Sequence, residues 1–162
     1  MRIWRVCPAR RTATAFDGEG ARLNGGRWNH VGLSAVYVSA TISLGLLEYL
    51  VNADPDLAPE ALVRIPVDCP DEIQVDDITV AGLPREWRSY PAPDSVKDIG
   101  SEWLRGCRNL ILSVPSVIVP QERNFVLNPC HLRFKELGIG PAEPFSLDPR
   151  LWSSLPGPKA AR

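Results

Sequence analysis

Ala35-Val36-Tyr37-Val38-Ser39, followed after Ala40 by Thr41-Ile42-Ser43-Leu44-Gly45-Leu46-Leu47-Glu48-Tyr49-Leu50-Val51-Asn52, reads as a strand that runs straight into a helix. The first five residues carry the β-branched and aromatic content of a strand. The next twelve carry an apolar pattern too long for a strand, with Ser39 or Thr41 to cap its start and Asn52 with Pro55 to mark its end. Seven of the ten residues from Ile42 to Val51 are apolar and fall on all sides of the helix, which predicts a largely buried element. Glu48 is its only carboxylate. The positions three and four residues away hold Gly45, Leu44, Val51 and Asn52, none of them cationic, so any ion partner of Glu48 comes from elsewhere in the fold.

Outward from this unit, Arg2–Val6 alternates as an opening strand, and Phe16–Arg27, with Gly18, Gly20, Gly25 and Gly26, predicts a loop or paired turns. Ala61–Val67 reads as a strand whose Pro66 suggests an edge or a strand end. Ser95 to Cys107 predicts a second helix, weakened by Gly100. Leu110–Val114, Val117–Val119, Phe125–Leu127 and Leu132–Phe134 are short apolar runs that predict a strand-rich second half. From about Pro141 a proline-punctuated tail is expected to dock through Phe145, Leu151 and Trp152. Mixed strands with two helices predict an α+β fold over one domain, residues 1–162.

Composition excludes several function classes. The net charge of −1 gives no basic field for direct nucleic-acid binding, and the Arg5, Arg10, Arg11 cluster is too short to replace one. Neither a secretory signal nor an apolar run of membrane-spanning length is present, so the chain reads as cytoplasmic with no membrane partner. Cys7, Cys69, Cys107 and Cys130 lack metal-ligand spacing and are expected to be free thiols, mostly buried, with no metal site. Gly18-Glu19-Gly20 lacks the third glycine of a dinucleotide fingerprint, and no GxSxG surrounds Ser116. The weak basic surface and the absence of a histidine pair argue against a ribonuclease.

Arg27, Tyr37, Glu48 and Ser116 each have an ordinary structural reading: a surface arginine, a core aromatic, a helix carboxylate and a turn serine. Their order changes that. Gly26-Arg27-Trp28-Asn29, Val36-Tyr37-Val38-Ser39, Leu47-Glu48-Tyr49-Leu50, Val114-Pro115-Ser116-Val117-Ile118-Val119-Pro120 and Asn124-Phe125-Val126-Leu127-Asn128-Pro129 succeed one another. This set resembles the RES domain family, from about Ile3 to about Leu151, with no departure at the four positions.

The resemblance implies an ADP-ribosyltransferase-like fold, with short mixed or antiparallel sheets around an NAD⁺ cleft and a few helices. It implies a toxin that depletes NAD⁺ by hydrolysis or phosphorolysis, with protein ADP-ribosylation as the alternative and a non-enzymatic repressor-complex component as a second. NAD⁺ is then a substrate, and no true cofactor is expected. The implied partner is an Xre-type helix-turn-helix antitoxin covering the active site, with DNA met only through it, inorganic phosphate as one acceptor and a homodimer as one arrangement within the complex. The roles carried over are Glu48 at the ribose where positive charge develops, Arg27 on phosphate oxygens, and Tyr37 stacked on nicotinamide. Ser116 is placed on the nicotinamide side or against Glu48, and Asn124 as a further polar contact or a turn residue.

Overall fold

A computed structural model describes residues 1–53, 61–148, 150 and 151. It opens with strand β1 (Arg2–Pro8), a 3₁₀ turn (Ala9–Thr14), helix α1 (Glu19–Asn24), strand β2 (Val36–Ser39) and helix α2 (Ile42–Leu50). Strands β3 (Leu62–Asp68) and β4 (Val75–Asp77) lead to helix α3 (Asp94–Gly106). Strands β5 (Ile111–Pro115), β6 (Arg123–Leu127), β7 (Gly138–Ile139) and β8 (Glu143–Phe145) close the order. The described strands form one sheet in the order β4-β5-β6-β2-β1-β3-β7, with β8 also on β3. Only the β4–β5 pair is parallel. The fold is α+β.

Apolar side chains cover both faces of the central strands, which is why β5 and β6 read as nearly continuous apolar runs. On one face Val36, Val38, Ile111, Phe125 and Leu127 pack with Ile3 and Val67. On the other, Leu112, Val114 and Val126 pack with Trp28, Trp87, Val96 and Leu104, and Tyr37 joins them. The period-2 geometry of a strand therefore assigns Tyr37, Ser39, Asn124 and Val126 to the second face.

That face is covered by α2 and α3. Thr41 caps α2, its side chain accepting from Leu44 N at 3.1 Å. The helix ends at Leu50, and the Asn52 side chain bonds the Glu48 carbonyl at 2.8 Å; Pro55 lies outside the described residues. The expectation of a largely buried helix does not hold. Only Leu44 and Gly45 are buried, while Leu47 is 40% exposed. The packing stripe is narrow because a Cβ on Gly45 would already lie 3.0 Å from Val6 Cγ2, so the helix backbone rests on β1. Glu48 lies one turn on from Leu44 and Gly45, on the stripe that faces the sheet.

Several expectations change. Within Phe16–Arg27, residues Glu19–Asn24 are helical, because Asp17 Oδ1 accepts from Glu19 N at 2.8 Å and Gly18 and Gly25 take positive φ at its ends. Val117–Val119 is bent chain held on Ser116, and Leu132–Glu136 is a 3₁₀ turn capped by His131. Pro66 lies mid-strand, opposite Trp4 of β1; its carbonyl takes Gly140 N at 2.9 Å in the gap between β7 and β8, where no donor is required of it. Polar β4 had no apolar signal, and Asp76 anchors it by accepting from Trp103 Nε1 at 2.7 Å and Asn109 Nδ2 at 2.8 Å. Phe145 docks within β8 opposite Leu62, Leu151 is exposed, and Trp152 lies outside the described residues. Cys7 and Cys69 are buried, whereas Cys107 and Cys130 are exposed.

Gly100 is a packing requirement instead of a weak point. A Cβ there would lie 2.0 Å from the Trp28 carbonyl oxygen, and Ser101 Oγ accepts from His30 N at 2.9 Å beside it. Gly100→Ala is expected to lower stability by about 2 kcal/mol or more despite alanine's helix propensity. Urea unfolding tests this, and a midpoint equal to wild type would show that Trp28 moves aside freely.

Candidate active site

Four elements deliver one cluster. Glu48 comes from α2, Asn124 from β6, Ser39 from the end of β2, and Ser116 from the turn after β5. Ser116 Oγ donates to Glu48 Oε1 at 2.8 Å, and Asn124 Nδ2 donates to the same oxygen at 2.5 Å. Ser39 stands opposite Asn124 in the β2–β6 register and donates to its Oδ1 at 2.7 Å, which fixes the amide with its nitrogen toward Glu48. Ser116 is fully buried and also accepts from Ile118 N and Val119 N, each at 3.1 Å. Its single proton is thereby directed at the carboxylate. Glu48 Oε2 has no hydrogen-bond partner among the described residues, and Glu48 is only half-buried. One carboxylate oxygen is clamped and the other is open.

Tyr37 is held by its hydroxyl. It donates to Asn29 Oδ1 at 2.6 Å and accepts from Trp28 N at 3.1 Å. Burial pushes the phenol well above its ordinary value, with the Trp28 bond and the Arg27 charge acting the other way. The ring is left half-buried while the hydroxyl is committed to the protein. Behind it, Arg5 Nη1 donates to the Tyr37 carbonyl, and burial draws that guanidinium below its usual value. Gly26 explains itself here: a Cβ would lie 2.6 Å from the Tyr37 hydroxyl, so this glycine makes room for a side chain and not for a ligand.

Arg27 is half-buried and tied to the segment 84–93. Its Nη1 donates to the Trp87 carbonyl at 2.7 Å and its Nη2 to the Ser89 carbonyl at 3.1 Å. Burial pulls its guanidinium below the ordinary value, and the Glu48 carboxylate and Tyr37 nearby act in the opposite direction. Arg27, Tyr37, Glu48, Ser116 and Asn124 are thus brought to one face of the sheet. A separate concavity, lined by Glu72, Arg108, His131 and Arg133, opens at the far end of β5 and collects none of them. Sequence reasoning missed Ser39, visible only as a neighbour of Tyr37 at strand period 2. It also missed Asn29, fully buried with Nδ2 on the Ala21, His30 and Leu33 carbonyls.

Residues 2–148 match the RES domain model. The chain belongs to the RES domain family. It is 37% identical over 158 residues to Toxin Res of Yersinia enterocolitica serotype O:8, covering 93% of this chain and 99% of that one. It is 35% identical over 153 residues to the Prs ADP-ribosylating toxin of a Sphingobium species, covering 92% and 95%. Its fold is that of a chain in the crystal structure of the Mycobacterium tuberculosis MbcT–MbcA toxin–antitoxin complex, with a TM-score of 0.71, 22% identity, and coverage of 95% and 87%. No helix among the described residues is long and apolar enough to cross a membrane.

Tyr37→Phe leaves Asn29 Oδ1 without its phenol donor and Trp28 N without an acceptor, and should cost about 1–3 kcal/mol near neutral pH. Because the folded phenol's pKa is raised, its contribution is intact below the unfolded value of roughly 10 and is lost as pH rises beyond it. The stability gap between wild type and variant, measured by urea unfolding, should therefore narrow between roughly pH 9 and pH 11. A gap that widened with pH would contradict the buried neutral phenol.

Proposed function

We propose that this RES-domain toxin breaks the nicotinamide–ribose bond of NAD⁺ and passes the ADP-ribosyl group to water or inorganic phosphate. The observation that carries this reading is the Glu48 carboxylate, with Oε1 held by Ser116 and Asn124 and Oε2 open. Bond breaking sends the electron pair to the nicotinamide nitrogen and leaves an oxocarbenium-like ribose. A preorganised carboxylate beside that ribose stabilises the charge as it develops, without reorganising at the moment of reaction. Ser116 and Asn124 position Glu48 and keep it from swinging toward its own helix. The half-buried Tyr37 ring offers a face to the flat nicotinamide, and Arg27 offers its remaining N–H groups to phosphate oxygens. NAD⁺ enters as substrate, and no further cofactor is required by the step.

A second reading is favoured by one relative. The Sphingobium protein is named an ADP-ribosylating toxin, and transfer to a protein shares the first step at Glu48. The acceptor then differs, not the clamp. The toxin–antitoxin complex of the structural neighbour supports an antitoxin partner for this chain. We assign that partner to the Xre type and place it over the Glu48 site, with DNA met through it and a cytoplasmic setting for both.

The deciding assay follows free nicotinamide by proton NMR during incubation with NAD⁺, with and without inorganic phosphate. Nicotinamide release is expected, and a phosphorylated ADP-ribose product would select phosphate as the acceptor. Glu48→Gln should fold normally, because its amide oxygen can still accept from Ser116 and Asn124, and should lose ~10²-fold or more in turnover. Full activity in that variant removes Glu48 from the chemistry. No release by folded wild type, with label from NAD⁺ appearing on protein in lysate, would replace hydrolysis by protein ADP-ribosylation.

A further inference from the structure

The arginines at the rim of the Glu48 site divide their donors unequally. Arg27 spends Nη1 on the Trp87 carbonyl and Nη2 on the Ser89 carbonyl, so both ends of its fork already brace the segment 84–93. Trp87 is buried and anchors that segment in the second core. Between those two braced carbonyls sits Arg88, which is exposed. Its Nε donates to the Val117 carbonyl at 3.2 Å, and neither Nη1 nor Nη2 has a partner among the described residues. Glu86, the nearest acid in sequence, takes Ser95 Oγ at 3.2 Å instead.

Val117 directly follows Ser116, whose hydroxyl holds Glu48 Oε1 at 2.8 Å. Arg88 is thus tethered by its Nε within one residue of the carboxylate clamp, while its terminal fork stays unengaged. Two parallel N–H groups in a fixed plane match the oxygens of a phosphate, and anchoring the Nε removes much of the freedom such a contact would otherwise lose. Among the described residues no carboxylate neutralises this guanidinium, which suits a dianionic ligand.

We propose that Arg88 is a phosphate-binding residue of this site, its Nη1 and Nη2 taking phosphate oxygens while Arg27 mainly braces the segment that presents it. This rests on the NAD⁺ reading above. The phosphate is that of the dinucleotide's pyrophosphate or of the inorganic acceptor, and one set of measurements separates the two.

Wild type, Arg88→Ala and Arg88→Lys are compared by calorimetry with ADP-ribose, which binds without reacting, and by nicotinamide release from NAD⁺ and from nicotinamide riboside, which carries no phosphate. Arg88→Ala should weaken ADP-ribose binding and raise KM for NAD⁺ by about tenfold or more, with kcat little changed and riboside cleavage unaffected. Arg88→Lys should recover part of the loss, keeping the charge without the fork. A raised KM for inorganic phosphate with ADP-ribose binding intact assigns the acceptor phosphate to Arg88 instead. Unchanged ADP-ribose affinity together with unchanged phosphate dependence overturns the proposal, as does an equal loss on nicotinamide riboside. Absence of nicotinamide release by wild type, with the ADP-ribose difference intact, removes the cleavage reading and leaves Arg88 standing. A wild type that binds neither ADP-ribose nor phosphate removes both.

Discussion

Oxygen Oε1 of Glu48 is where the separate parts of this fold meet. It accepts one hydrogen bond from a buried serine after β5 and another from an asparagine on β6, while it is itself carried by α2. Each donor is oriented by something else: Ser116 by the Ile118 and Val119 amides, Asn124 by Ser39 across the strand pair. Even a half-buried carboxylate is costly to desolvate without such partners. The clamp makes the position tolerable and at the same time leaves Oε2 free to act, so the stabilising and the chemical roles of Glu48 fall on different atoms.

The sheet supplies the precision. β6 lies between β2 and β5, so Asn124 faces Ser39 on one side and Val114 on the other. Arg123, the preceding residue, turns to the opposite face, where its Nε donates to Ser113 Oγ at 2.9 Å and its Nη2 to the Ile78 carbonyl at 2.8 Å. A one-residue slip of β6 would exchange these faces and empty the clamp. The same logic holds for Tyr37, whose ring belongs to one face while its carbonyl is gripped by Arg5.

Much of the frame was legible from residue pattern. The β1 alternation, the β2 composition and a cap at Ser39 or Thr41 carried the elements that position the site, because strand content and helix caps act locally; the structure chose Thr41. The short runs were not separable in this way. Leu132–Phe134 and Val117–Val119 carry the apolar content of strands, yet one is a 3₁₀ turn and the other bent chain, and three residues give no period to distinguish them. Gly100 was misread for a related reason, and the demand for glycine at Gly26 was equally hidden. The close neighbours that demand glycine there, the Tyr37 hydroxyl and the Trp28 carbonyl, come from distant sequence.

By itself the sequence determined which residue types were present and in what order: a carboxylate on a helix that lacks local cations, a serine between prolines and valines, an asparagine leading a strand. Those are properties of neighbours along the chain, and the order of five short blocks was enough to point to a family. Only the tertiary structure decided that Ser116 and Asn124, 68 and 76 residues beyond Glu48, share one of its oxygens. It also decided that Arg27 braces a segment 60 residues away and that Arg88 keeps its fork free among the described residues. The reason is physical: hydrogen bonds and ion pairs depend on distances of a few ångströms and on direction, and those are set by sheet register and packing, which no local pattern encodes.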